Sequence, residues 1–367
     1  MVNRLKLLER IGVKLIWFDS LGAKSASIYI DGSVGGIVID PGAAAMQPSY
    51  PLPSEEKRKL RSKAIEEIEK FCWKAKFIVI THYHYDHHVL PFSGDLRDPK
   101  SMYLGKKMII VKNPNMYINE SQWNRARTFI EQLLSLDNKD IKEYLIEPEL
   151  TEFQDLVELL EHAMSKDFGS YSNRRRELLE KGRKWFRNLV EKLWSAKPWI
   201  KDKITFSDGT LLVWGDGKCF ELGDTLFYIF PPWFHGIEYD RTGWVFPVLI
   251  VKNNYRLFYT RDLMGPQIED YAYVIARLKP DIIIADGPPT YLYPYMLNKI
   301  NLNRAVENMV YIIENAQPKL IIYDHHLLRE RKWRKRVNKV FKVASKANIP
   351  LITAAEYLGK KPLIDVI

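Results

Sequence analysis

The stretch Ile78-Val79-Ile80-Thr81-His82-Tyr83-His84-Tyr85-Asp86-His87-His88 constrains the fold more than any other. Its apolar, β-branched run reads as a buried strand. The run ends abruptly in four histidines and one aspartate. The chain has 8 histidines, so half of them stand here. Imidazole and carboxylate are the ligands that suit zinc and its borderline neighbours. Side chains at i and i+2 of an extended segment point the same way, so His82 and His84 can share one metal. Asp86 and His87 follow where the backbone must turn, and can face a second. A surface loop that merely happens to be rich in histidine is the plainer reading. The ligand candidates further along the chain weigh against it.

Around this stretch the chain alternates in type. Residues 13–18, 26–30 and 37–39 read as strands, with Asp31-Gly32 and Gly35-Gly36 supplying turn chemistry and Asp40-Pro41-Gly42 ending the third. Asp40 stands where it can hydrogen-bond the histidine loop from outside the ligand set; capping a turn is its plainer role. Residues 54–72 read as a helix, with Ser54 as cap, Glu55 and Glu56 in the first turn, and Leu60, Ala64, Ile65, Ile68 and Phe71 on one face.

Residues 76–81 form the strand that delivers the cluster. Helical periodicity over 119–136, 153–160 and 178–194 marks an insertion at about 113–203, able to roof a site within one domain spanning 1–367. Strands then return, with hairpin signals at Asp216-Gly217 and Asn253-Asn254. From residue 268 helices and strands alternate, ending in a basic helix over 328–347. That alternation argues for an α/β protein with its ligands at strand ends.

Charge and cysteine content narrow the class. The net charge of +10 is unevenly placed. Residues 172–203 hold eleven basic and four acidic side chains, and residues 329–346 hold nine and one, so the remainder is net negative. Such faces attract a polyanion or are simply solvated. Cys72 and Cys219 are isolated, which speaks against a disulfide framework and for a cytoplasmic protein. No apolar run approaches the roughly 20 residues of a membrane span, and the start lacks a secretory pattern. Abundant Lys, Glu and Ile would suit a thermophile.

Four strand-like runs lead into candidate ligands: the first cluster, then His235, then Asp262, then Asp324-His325-His326. Singly, His235 would be a turn histidine and Asp262 a loop carboxylate. Together they bring every histidine except His162 to a strand end.

With these residues the chain resembles the metallo-β-lactamase superfamily. His82-Tyr83-His84-Tyr85-Asp86-His87 matches the family's H-x-H-x-D-H signature, and a lone His, a bridging Asp and a final His follow in the family's order. The resemblance covers most of the chain apart from the helical insertion. Thr81 to His88, with Ile118-Asn119-Glu120-Ser121-Gln122 and Ala354-Ala355-Glu356-Tyr357-Leu358-Gly359, looks like an uncharacterised archaeal branch of predicted metallo-hydrolases.

The resemblance implies an αββα sandwich of the metallo-β-lactamase type and two divalent metal ions, zinc foremost, with iron or manganese as alternatives. His82, His84 and His235 would hold one ion. Asp86, His87 and one C-terminal histidine would hold the other, and Asp262 would bridge them. His325 is preferred as the last ligand because it comes sooner after its strand; His326 is the alternative. His88 is expected outside the ligand set or facing solvent. Redox members commonly carry Glu at the second histidine, and His84 departs from that, favouring hydrolysis.

Two cations about 3.5–4 Å apart acidify a bridging water and supply hydroxide near neutral pH. They also polarise a carbonyl or phosphoryl oxygen. Asp86 or Asp262 is expected to take the released proton, and Tyr83, Tyr85 and Arg329 are candidate substrate contacts. Asp286-Gly287-Pro288-Pro289 reads as a turn near the pocket. The expected function is hydrolysis of an anionic phosphate ester or phosphodiester, small molecule or nucleic acid, with no membrane partner. Thioester or lactone hydrolysis is the alternative on the same metal core. A nucleic-acid-binding or scaffold protein with structural metals is the alternative of another class, disfavoured because structural zinc sites are usually closed and tetrahedral.

Overall fold

Strands buried along both faces need cover on two sides, and the chain is built around several of these. The computed structural model describes residues 6–149 and 151–367. In it, β1 (Val13–Phe18), β2 (Ala26–Ile30), β3 (Gly36–Ile39), β4 (Ala75–Ile80), β5 (Met108–Val111), β6 (Lys203–Thr205) and β7 (Leu211–Trp214) form one sheet in the order β1-β2-β3-β4-β5-β7-β6. A second sheet runs in chain order through β8 (Cys219–Leu222), β9 (Thr225–Ile229), β10 (Val248–Lys252), β11 (Tyr255–Tyr259), β12 (Ile282–Asp286), β13 (Leu320–Asp324) and β14 (Leu351–Ile352).

Side-chain alternation then assigns the layers. Ile37, Ile39, Val79 and Ile110 of the first sheet share a buried cluster with Leu257, Tyr259, Ile282, Ile284, Leu320 and Ile322 of the second. The intervening residues, Val38, Ile78, Ile80, Phe258, Ile283 and Ile321, pack instead with the helices. These are α1 (Ser54–Lys74) on the first sheet and, on the second, the pair formed by Glu269–Leu278 and Lys299–Ala316. The order is helix, sheet, sheet, helix.

Four expectations are corrected. Asp216-Gly217 does not close a hairpin: β7 and β8 lie in different sheets, and the turn carries the chain between them. The hairpin lies one strand later, between β8 and β9. The 153–160 segment forms only a 3-10 turn, Leu156–Leu159, before the short helix Glu161–Ser165. The basic helix is broken into Leu327–Arg329, Trp333–Arg336 and Asn338–Lys346. Ser54 is the first helical residue rather than the cap; Pro53 precedes it, with no side-chain cap. The Asn253-Asn254 hairpin does form, and both residues hold the positive φ (50° and 62°) that a two-residue turn of this hand requires.

Residues 113–203 include α2 (Glu120–Leu136) and α3 (Ser172–Leu189), which continues into a π turn, Val190–Trp194. They are not a detached unit. Trp194 packs on Trp244 with ring centroids 5.7 Å apart, and Trp185 stacks on Trp244 at 5.5 Å. Among the described residues no helix is long and apolar enough to cross a membrane.

Candidate metal centre

The strands decide where the candidate ligands end up. β11, β12 and β13 are parallel neighbours, so their C-terminal ends lie on one side. Thr260-Arg261-Asp262, Asp286 and His325-His326 leave those ends. β4 of the facing sheet delivers His82 to His88, and the two-residue strand Trp233–Phe234, paired with Trp244–Val245, delivers His235. The clusters meet at the rim between the two sheets, the general place for a ligand site in an open α/β arrangement.

Asp262 lies at the centre. Its Oδ2 is 3.3 Å from His82 Nε2, 3.1 Å from His87 Nε2, 3.1 Å from His235 Nε2 and 3.8 Å from His326 Nε2; its Oδ1 is 3.4 Å from His325 Nε2. His82 Nε2 also lies 3.0 Å from His84 Nδ1. Asp86 stands 3.6 Å from His87 Nε2 and 3.9 Å from His325 Nε2. Three groups converge closely enough to hold an ion: His82, His84, His235 and Asp262; Asp86, His87 and His325; and Asp262, His325 and His326. Both adjacent histidines therefore reach the centre.

A metal suits these residues on hydrogen-bonding grounds. His87 Nε2, both ring nitrogens of His235, His325 Nε2 and both oxygens of Asp262 are buried without a hydrogen-bond partner. Each such orphan costs about 1–3 kcal/mol, and so many facing one another is what a cation would satisfy at once. The opposite edges of three of the rings are occupied. His87 Nδ1 is 3.3 Å from Asp40 Oδ2, His325 Nδ1 is 2.8 Å from Asp19 Oδ1, and His326 Nδ1 is 3.4 Å from Asp286 Oδ2. At His325 and His326 a proton held at Nδ1 by a carboxylate leaves Nε2 free to ligate; at His87 the Arg261 guanidinium also meets Nδ1.

The electrostatics divide the ligands. At His325 and His87 burial tends to lower the pKa, but the charges of Asp19 and Asp262 raise His325 to about 10 and Asp262 raises His87, so these two rings must release a proton to ligate. Burial tends to raise the Asp86 pKa, but the charges of His87, His325 and Arg329 outweigh it and hold the group well below the ordinary range. Burial depresses His82 and His84, keeping them in the neutral form that binds metals. Burial and the nearby Asp262 raise Asp286.

Local geometry explains how the loops are held. Asp40, at φ 51°, accepts hydrogen bonds from Thr81 N and Oγ1, both at 2.8 Å, and pairs with Arg261 Nε at 2.5 Å. Gly42 packs against the backbone of His87 and His88, where a Cβ would lie 2.1 Å from His88 N, so no larger residue fits. His325 and His326 both have positive φ, 26° and 40°, a conformation that costs about 1–3 kcal/mol per non-glycine residue. Asp324 holds this turn and is not a ligand: its carboxylate accepts from Ser20 N, His325 N and Ala354 N at 2.9–3.0 Å. Gln122, at the start of α2, accepts from Tyr83 N at 3.2 Å and donates to Thr242 O at 2.6 Å, bracing the histidine loop against the His235 loop.

Other positions differ from expectation. Tyr83 is fully buried and its hydroxyl donates to Lys112 O at 2.6 Å, so it does not face a substrate. Tyr85 is 42% exposed, beneath the Arg125 guanidinium. His88 does not face solvent: it is buried, with Nδ1 3.0 Å from His84 O. Arg329 is 4% exposed, donates to Asp19 at 2.5 Å and places Nη2 3.5 Å from Asp86 Oδ2.

Sequence reasoning missed Asp19, Lys24 and Arg261. Lys24 feels Arg329, Asp86 and Asp19; burial and then the Arg329 charge lower its ammonium group. Arg261 carried one available signal, its position beside Asp262 at a strand end. Asp19 and Lys24 carried none.

No family model matches the chain. Over 355 residues it is 30% identical to the UPF0282 protein of Methanocaldococcus jannaschii, covering 94% of this chain and 91% of that one. The chain belongs to the UPF0282 family. Solved structures similar to this family member include the metallo-beta-lactamase fold protein YhfI from Bacillus subtilis (TM-score 0.41, 9% identity, 93% of this chain and 94% of that one). Unliganded yeast PDE1 is another (TM-score 0.42, 11% identity, 93% and 96%). The fold is that of the metallo-β-lactamase superfamily: two facing sheets, helices outside, and the H-x-H-x-D-H turn leaving the end of β4.

Proposed function

We propose that this protein is a dinuclear metal-dependent hydrolase of an anionic phosphate ester or phosphodiester. The observation that carries the reading is the buried Asp262 carboxylate, with both oxygens lacking hydrogen-bond partners amid imidazole nitrogens that lack them too. His82, His84 and His235 would hold one divalent ion, zinc foremost; Asp86, His87 and His325 would hold the other, and Asp262 would serve both. When bound, the pair supplies a nucleophile near neutral pH and polarises the ester oxygen.

The chain's own groups have separable tasks. The Asp86 side chain is 14% exposed against 1% for Asp262, so Asp86 meets the incoming substrate and is placed to receive the proton released during attack. Asp19 and Asp40 orient His325 and His87. Arg329 and Lys24 put positive charge beside Asp86, where it draws in an anion and offsets charge developing on a phosphoryl group. That placement favours a phosphate substrate over a neutral thioester or lactone.

The test is a hydrolysis screen of the metal-loaded protein across phosphomonoesters, phosphodiesters, nucleic acids, thioesters and lactones, with Asp262→Ala as control. Turnover is expected with phosphate substrates and should vanish in the variant. A preference for thioesters or lactones would overturn the substrate class. A metal content well short of about two ions per chain would overturn the dinuclear assignment.

A further inference from the structure

Beside the metal cluster lies a cavity of about 360 Å³, lined by Ser49, Tyr291, Arg329, Lys332 and Arg336 among others. That volume falls within the usual range of small-molecule sites. Arg329 belongs to both places. Its Nε is held by Asp19, its Nη1 lies 3.4 Å from Tyr291 Oη, and its Nη2, 3.5 Å from Asp86 Oδ2, is buried with no hydrogen-bond partner. Arg336 donates through Nε to Glu330 at 3.2 Å and lies over the Tyr293 ring, which leaves the outer edge of its guanidinium uncommitted. Lys332 is exposed and forms no ion pair among the described residues. Arg331, also at the rim, turns to Ile367 O at 2.6 Å. Glu330 is the one acidic side chain of the lining.

We infer that this cavity is a phosphate-binding subsite, taking a phosphate group of the substrate other than the one that reacts. The inference rests on the hydrolase reading and narrows it to a small molecule carrying two phosphate groups, one at Asp86 and one among Arg329, Lys332 and Arg336. A long polynucleotide fits less well, because two of the basic residues next to the cavity are committed to acidic partners. Arg334 is paired with Glu356 at 2.8 Å and Lys339 with Glu307 at 2.6 Å. The guanidinium fork suits phosphate oxygens, and Arg329 is fixed in advance by Asp19.

The test is calorimetric titration of the chelator-treated, metal-depleted protein with inorganic pyrophosphate, comparing wild type with the double variant Lys332→Ala/Arg336→Ala. Wild type is expected to bind saturably at one site, with affinity falling as salt rises. The double variant should bind about tenfold more weakly or worse, since a hydrogen bond to a charged group contributes about 1.5–3 kcal/mol. An unchanged metal content on reloading shows that the variant is folded. No saturable binding, or equal binding by the variant, overturns the subsite whatever the metal-loaded enzyme does. Hydrolysis is read separately: its absence alongside intact pyrophosphate binding removes the hydrolase reading and leaves the phosphate site standing.

Discussion

Glu238 stands three residues after His235, and its replacement by glutamine probes how that loop is anchored. The side chain is 4% exposed. Its carboxylate accepts from Arg304 at 3.0 and 2.7 Å and from Arg175 of α3 at 2.8 Å. Burial tends to raise the pKa, but Arg304 and then Arg175 outweigh it and bring the group from 4.5 down to about 2. A shift of that size, at about 1.4 kcal/mol per unit, corresponds to roughly 3 kcal/mol. The figure matches the roughly 3–5 kcal/mol lost when one partner of a buried ion pair is removed.

The sign follows from the depressed folded value: the contribution is fully present above the unfolded pKa of 4.5 and is lost as pH falls towards about 2. Urea unfolding of metal-depleted wild type and Glu238→Gln, from about pH 6 to about pH 3, measures it; without metal, acid release of metal by the histidines does not intrude. The variant should be about 3 kcal/mol less stable at the upper end, with the gap closing below the unfolded pKa. A gap that is the same at both ends, or under about 1 kcal/mol throughout, would show that the Arg304 cluster is not anchored by this charge.

Four further outcomes are expected. Asp40→Asn should weaken metal binding about 10–100-fold by loosening His87, read by competition with a chelating dye; unchanged affinity would refute the orienting role. Tyr83→Phe should cost about 1 kcal/mol of stability, the value of its bond to Lys112 O, and leave KM unchanged. Tyr85→Ala should raise KM with a stability change within about 0.5 kcal/mol, so the opposite pattern would reverse the two assignments. Chelation should lower Tm, because ions that bind only the folded state stabilise it by mass action; an unchanged Tm would mean that the cluster holds no metal.

Much of the layered fold is legible in local pattern. The helix at α1, the β-rich N-terminal strands and the Asn253-Asn254 hairpin follow from periodicity and turn chemistry acting over a few residues. Where pattern failed, the deciding contact was distant. Asp216-Gly217 is sound turn chemistry, but a turn does not say which sheet receives the next strand. The 328–347 segment has basic residues at helical spacing, yet Leu327–Arg329 is held by the site itself, through His325 and Asp19, and cannot join the helix that follows.

The sequence by itself determined that β4 ends in His82, His84, Asp86 and His87, because alternation along a strand and a turn at its end are properties of neighbouring residues. It also presented His235, Asp262, His325 and His326 as candidates at other strand ends. Only the tertiary structure decided that these four meet the first cluster, that Asp324 turns away to bind three backbone amides, and that Tyr83 faces the core. The same holds for the buried carboxylates behind the imidazoles. Asp19 and His325 are 306 residues apart yet 2.8 Å from one another. No local pattern encodes that pairing; it follows from two sheets closing on a shared apolar core.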